Sequence, residues 1–166
     1  MRWINGLRDF VHNNSIKTVR YDDEDYFVMY KAVRKDFGSW HVGSSSKGAY
    51  RPGTLVECSV FDTSRYKDCG KGLHVSTLRF ASQFAGKRAP LIVEILVRPR
   101  DIVCVPFAGG KVRCRRLIVS RLIGRKAISW NGGTSFYKWS GKSWLRKEIT
   151  DSSQLLDNVW TTQTQD

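Results

Sequence analysis

Acidic side chains are scarce in this chain of 166 residues. Only 15 Asp and Glu stand against 28 Lys and Arg, which leaves a formal net charge of +13. No apolar run approaches the roughly 18 residues that a membrane-spanning helix needs, so an integral membrane segment is not expected. Met1 to Val11 holds neither a continuous apolar stretch nor a small-residue cleavage site, and a cytoplasmic location is the expectation. Cysteine is limited to Cys58, Cys69, Cys104 and Cys114, with no Cys-x-x-Cys pair. That spacing argues against a zinc site and for free thiols, so neither a metal nor a cofactor is expected.

What the chain has in excess is positive charge. A field of this size attracts nucleic acid, anionic lipid or an acidic protein face, and it exceeds what solubility requires. The cations gather late, from Arg98 through Lys147. Lys111, Arg113, Arg115 and Arg116 alternate with apolar residues in what reads as one long strand from Lys111 to Ile123. Trp130, Trp139 and Trp144 interleave with further cations beyond it. Aromatic rings among cations suit the stacking of single-stranded nucleic acid; cross-strand packing explains the same alternation. These seven residues are the candidate contacts for nucleic acid or a protein partner.

The stretch from Cys69 to Gly86 organises the chain. Gly70 and Gly72 permit a tight turn, Leu73 to Val75 alternate as a strand, and Ser76 or Thr77 offers an N-cap. Ala81, Phe84 and Ala85 then share one helical face, with Phe80 beside them. A histidine between a glycine turn and a helix start is a candidate anion or nucleotide site; a buried strand–helix junction is the plainer reading.

Around it, residues 2–12 read as a short helix, Ile16 to Tyr21 and Tyr26 to Arg34 as a hairpin about the acidic turn Asp22–Asp25, and Lys35 to Gly53 as a loop carrying Trp40 and His41. Strands are expected at Thr54 to Phe61, Pro90 to Val97 and Ile102 to Val105. Asn131-Gly132-Gly133 sits between two strand-like runs, a hairpin signal. The expected fold is α+β: a twisted, mostly antiparallel sheet with one central helix at residues 77–85, a short N-terminal helix and a C-terminal β-hairpin extension.

Several motifs coincide in order and spacing: Tyr30-Lys31-Ala32-Val33-Arg34, Pro52-Gly53, Cys69-x-x-Gly72-Leu73-His74-Val75, Val93-x-x-x-Val97-x-Pro99-x-Asp101-Ile102-Val103-x-Val105-Pro106, and Lys111-x-Arg113. As a set, over roughly residues 10 to 119, they resemble the C-terminal domain of the phage rapid-lysis protein RIIB family. The resemblance implies a phage source, an accessory role exercised with a partner protein, and a location in the host cytoplasm during infection or in the virion. It also implies a domain over residues 1–123, with residues 124–166 as a Trp-rich extension packed on it. A more distant likeness, to the nucleotide-cradling segment of ADP-ribosyltransferases, rests on Gly70 to Ser76 with Ser82 and Phe84. It makes Tyr30, Lys31, Arg34, Gly72, His74 and Ser76 the candidate ligand-binding residues.

That likeness implies a late-strand glutamate, but the strand reads Lys111-Val112-Arg113-Cys114-Arg115-Arg116. Cations there oppose an oxocarbenium-like state, so no catalytic residue is assigned. Three functions follow as expectations: a non-catalytic phage binding module with a basic face for nucleic acid or a protein partner; a capsid, tail or cement protein, or a homo-oligomer, with virion neighbours; and an ADP-ribosyltransferase-like enzyme or nucleotide binder.

Overall fold

A computed structural model describes residues 3–20, 23–40 and 47–126 and, for the backbone alone, 21, 127–128 and 134–138. Helix α1 (Leu7–Asn13) precedes strands β1 (Thr18–Tyr21), β2 (Glu24–Val33), β3 (Leu55–Glu57) and β4 (Leu73–Ser76). Helix α2 (Leu78–Phe84) follows, then β5 (Leu91–Val97), a 3-10 turn at Pro99–Asp101, β6 (Ile102–Cys104), β7 (Lys111–Cys114), β8 (Arg116–Ile128) and β9 (Thr134–Lys138). The strands form one antiparallel sheet in the order β3-β8-β5-β2-β4-β7-β6, with β1 added beside β2 and β9 beside β8.

The two-residue period of the central strands sorts the side chains. Phe27, Met29 and Val33 of β2 join Leu91, Val93, Ile95 and Val97 of β5 in the main core, where Leu7 and Phe10 of α1 pack. On the opposite face Ala32 and Ile92 meet Ala81 and Ala85 of α2. The helices therefore cover opposite sides. Lys31 occupies the inward row between Met29 and Val33, where the pattern calls for an apolar residue.

The expected strand Lys111–Ile123 is two strands. Cys114 ends β7 and Arg116 starts β8, yet β5, β2 and β4 stand between them in the sheet. Four strand spacings in a flat sheet span about 19 Å, whereas residues 114 and 116 can be at most roughly 7 Å apart. The sheet therefore curls until its two ends meet at Arg115. The Arg115 N–H donates to Asp101 O at 2.9 Å, and its carbonyl accepts from Cys58 N at 2.9 Å, which ties the junction from both sides. Two register shifts between β5 and β8, at Ile92/Val93 and Glu94/Ile95, add the local twist that such a curl needs.

Other expectations shift at their edges. The first helix starts at Leu7, behind Gly6 in a left-handed conformation (φ 83°), not at residue 2. The acidic turn is shorter than expected, because Glu24 and Asp25 lie inside β2. Arg98 and Arg100 pair with Glu24, and Arg20 with Asp25 at 3.0 Å, so these carboxylates brace the sheet. The strand expected at 54–61 shrinks to Leu55–Glu57. Strand β8 runs unbroken through residue 128, so the domain boundary placed at 123 falls inside a strand. Trp130, Trp139, Trp144 and His41 lie outside the described residues.

Candidate functional site

Strands β2 and β4 share one paired position, Tyr30 with Ser76, and part beyond it. A cleft of about 620 Å³ opens at this seam. Its sides come from β2, β4, the Cys69–Gly72 turn, α2 and the segments around Trp40 and Tyr50. Of the six ligand-binding candidates, Tyr30, Lys31, Gly72, His74 and Ser76 line it. Arg34 is not among the lining residues; its Nε pairs with Asp36 Oδ1 at 3.1 Å.

Lys31 crosses the parted strands. Its Nζ donates to His74 O at 2.8 Å and lies 5.0 Å from the centroid of the Tyr50 ring. Burial pulls the ammonium down to about 8; Cys114 opposes that shift and Lys111 adds to it. The Tyr30 phenol is pushed up to about 12 by burial first and then by Glu94, with Arg121 opposing. Tyr50 is also raised by burial. Both phenols are thus protonated donors throughout the neutral range.

Ser76 is buried, and its Oγ lies 2.9 Å from Thr77 O and 3.3 Å from Tyr30 O, so its single proton is committed to the backbone. It helps hold the seam closed at its one paired position. Thr77, not Ser76, caps α2: its Oγ1 accepts from Phe80 N at 3.1 Å. Within that cap Ala81 and Ala85 take the packed side, while Phe80 and Phe84 turn to the cleft. Phe80 and Phe84 stack at 6.3 Å, and Trp40 meets Phe84 edge-on at 5.8 Å, which makes an aromatic wall.

The four late cations go to three different places. Lys111 lines the cleft, with Nζ 5.9 Å from the Phe80 ring centroid. Arg113 is fully buried and belongs to no exposed basic face. It sits opposite His74 in the β4–β7 register, donates from Nε to His74 Nε2 at 3.3 Å, and reaches Asp62 O and Lys67 O with its two terminal nitrogens. Acceptance at Nε2 puts the proton of the neutral imidazole on Nδ1. A Cβ at Gly72 (φ 130°) would fall 2.7 Å from Arg113 Cγ, so the glycine turn makes room for this arginine. Arg115 and Arg116 stand at the surface, paired with Asp101 at 3.1 Å and Glu57 at 3.6 Å.

No carboxylate is among the described residues that line the cleft. The two acids nearest in sequence logic are engaged elsewhere. Glu57 pairs with Arg116, and Glu94 is buried with Arg121 Nε at 3.1 Å and Ser120 Oγ at 3.4 Å. Burial holds the Glu94 carboxyl above its ordinary value against the opposing pull of Arg121. Tyr50, Phe80, Phe84 and Lys71 were not among the sequence candidates. The available signal for the two phenylalanines was their i, i+4 spacing across from Ala81 and Ala85.

Fold and site together define a curled antiparallel-sheet protein with a cationic, aromatic-walled cleft at one seam. A family model, bacteriophage T4 protein rIIB, matches residues 2–128, and the chain belongs to that family. No curated protein and no solved structure matches it. Among the described residues no helix is long and apolar enough to cross a membrane.

Proposed function

We propose that this protein is a phage accessory protein acting as a non-catalytic binding module, and that its cleft takes a nucleotide unit, free or within single-stranded nucleic acid. One observation carries the reading: Lys31, Lys71 and Lys111 line the cleft beside Trp40, Phe80 and Phe84, with no carboxylate among the described lining residues. Rings of this kind stack planar bases, and unopposed ammonium groups favour phosphate. The volume suits a ligand of nucleotide size. The net charge of +13 supports a polyanionic partner for the surrounding surface.

That no acid is among the described lining residues also speaks for binding over glycosidic cleavage, which needs a carboxylate near the reacting carbon. Thermal unfolding with a nucleoside monophosphate, its nucleoside, inorganic phosphate and a short single-stranded oligonucleotide tests the proposal. A ligand that binds only the folded chain at a hundred times its Kd stabilises it by about 2.7 kcal/mol. The expected order is oligonucleotide and nucleotide above nucleoside and phosphate, with the oligonucleotide shift falling steeply as salt rises. Equal, negligible shifts with all four would overturn it.

A further inference from the structure

The geometry points to a second capability of the same cleft: the Lys31 amine captures a small anionic aldehyde or ketone as an imine. This goes beyond ligand binding, since it makes Lys31 a nucleophile and not only a counter-ion.

Placement comes first. Lys31 stands in a row of core residues on β2, yet it lines the cleft, and its Nζ donates to a backbone carbonyl, His74 O, at 2.8 Å. Four arginines of the sheet and its turns have carboxylate partners: Arg98 and Arg115 share Asp101, Arg116 has Glu57, and Arg121 has Glu94. Lys31 has a carbonyl, a ring face, the Cys114 thiol and a second cleft lysine, Lys111, as neighbours. An amine desolvated beside another cation is the arrangement that frees a lysine lone pair near neutral pH. With its value near 8, about a tenth of the Lys31 side chain is neutral at pH 7. For an exposed lysine that fraction is smaller by roughly 200-fold.

The reaction balances without a co-reactant. The amine nitrogen bonds to the carbonyl carbon, the carbonyl oxygen leaves as water, and the two amine hydrogens leave with it. The Tyr50 ring face, 5.0 Å from the amine, gives the imine an apolar neighbour on one side. Lys71 and Lys111 line the same cleft, and so favour an anionic carbonyl compound.

The test uses the full chain with pyridoxal 5′-phosphate as probe, at substoichiometric concentration and pH 7, followed by cyanoborohydride reduction and peptide mapping. The expected result is a reduced adduct on Lys31 at least tenfold above that on any other lysine, lost in Lys31→Arg, which keeps the charge but cannot form an imine. A thermal melt of Lys31→Arg checks that it folds, and Lys111→Gln provides a second variant, with slower Lys31 labelling expected as the neighbouring charge disappears. Adducts spread over exposed lysines, with Lys31 not favoured, would overturn the proposal. Pyridoxine 5′-phosphate, which has no aldehyde, separates this proposal from the binding reading. If it raises the melting temperature while the aldehyde leaves Lys31 unmodified, the cleft binds anions and capture fails. If neutral pyridoxal modifies Lys31 as readily as its phosphate ester, the amine is a nucleophile but the anion preference fails.

Discussion

Lys31 carries the cost of the site in a single side chain. Its folded value near 8 against an ordinary 10.5 means that the folded state binds its proton more weakly than the unfolded state. Below pH 8 both states are protonated and the folded chain bears the whole penalty, on the order of 3 kcal/mol. As pH rises from 8 towards 10.5 the folded state sheds the proton first and the penalty is relieved. Lys31→Met also gives up the hydrogen bond to His74 O, worth about 1 kcal/mol. The variant is therefore expected to be more stable than the parent by about 2 kcal/mol at pH 7. By pH 10.5 that gain vanishes, and there the lost hydrogen bond makes the variant the less stable chain. Urea unfolding at the two pH values measures this; a destabilised variant at pH 7 would show that the ammonium is not strained. The sequence offered this lysine openly, as a charge in the row Phe27, Met29, Lys31, Val33. Arg113 was as visible and was misplaced, because an alternating strand does not say which of its faces is solvent.

At the level of elements, the loop from Cys58 to Gly72 is fastened by Arg113 from β7 through Asp62 O and Lys67 O. Both carbonyls and His74 Nε2 lose their donor in Arg113→Met. Charged hydrogen bonds of this kind contribute roughly 1.5–3 kcal/mol each, and burying the guanidinium offsets part of that. A net destabilisation of about 3 kcal/mol is expected, with cleavage by a limiting protease moving into residues 58–72. Unchanged stability and an uncut loop would mean that the turn holds itself. Strand and helix positions were largely legible from periodicity: β2, β4, β5 and α2 fall where alternation and capping put them. The break at Arg115 was not. No glycine or proline marks it, since the chain changes sides by curling the whole sheet and not by a local turn. The aromatic wall was hidden for a similar reason, because Phe84 was assigned to the packed face that Ala81 and Ala85 fill alone.

For the whole molecule, the decisive feature is where the sheet is continuous and where it is not. Strands β5 and β2 pair over seven positions, whereas β2 and β4 pair at one. One body therefore consists of β3, β8, β5 and β2; the other consists of β4, β7 and β6. They are joined by the Tyr30–Ser76 pair, the Lys31 bond to His74 O, the chain through residues 58–72, α2, the Pro99–Asp101 turn and Arg115, and a shared core that holds Val75, Ile102 and Val112 together with Met29, Val93 and Leu117. Native-state hydrogen exchange should show the amides of β4 and β7 opening together at a lower free energy than those of β2 and β5. Uniform protection across all four strands would contradict this.

The curl at Arg115 has a mechanical consequence. A sheet drawn together at Arg115 cannot flatten, and the place where its ladder thins to one backbone pair is the mouth of the cleft. Widening that mouth would strain the one apolar core that β2, β4, β5, β7 and β8 share. An occupant of the cleft therefore meets walls whose spacing the core has already set, which lowers the ordering cost of binding.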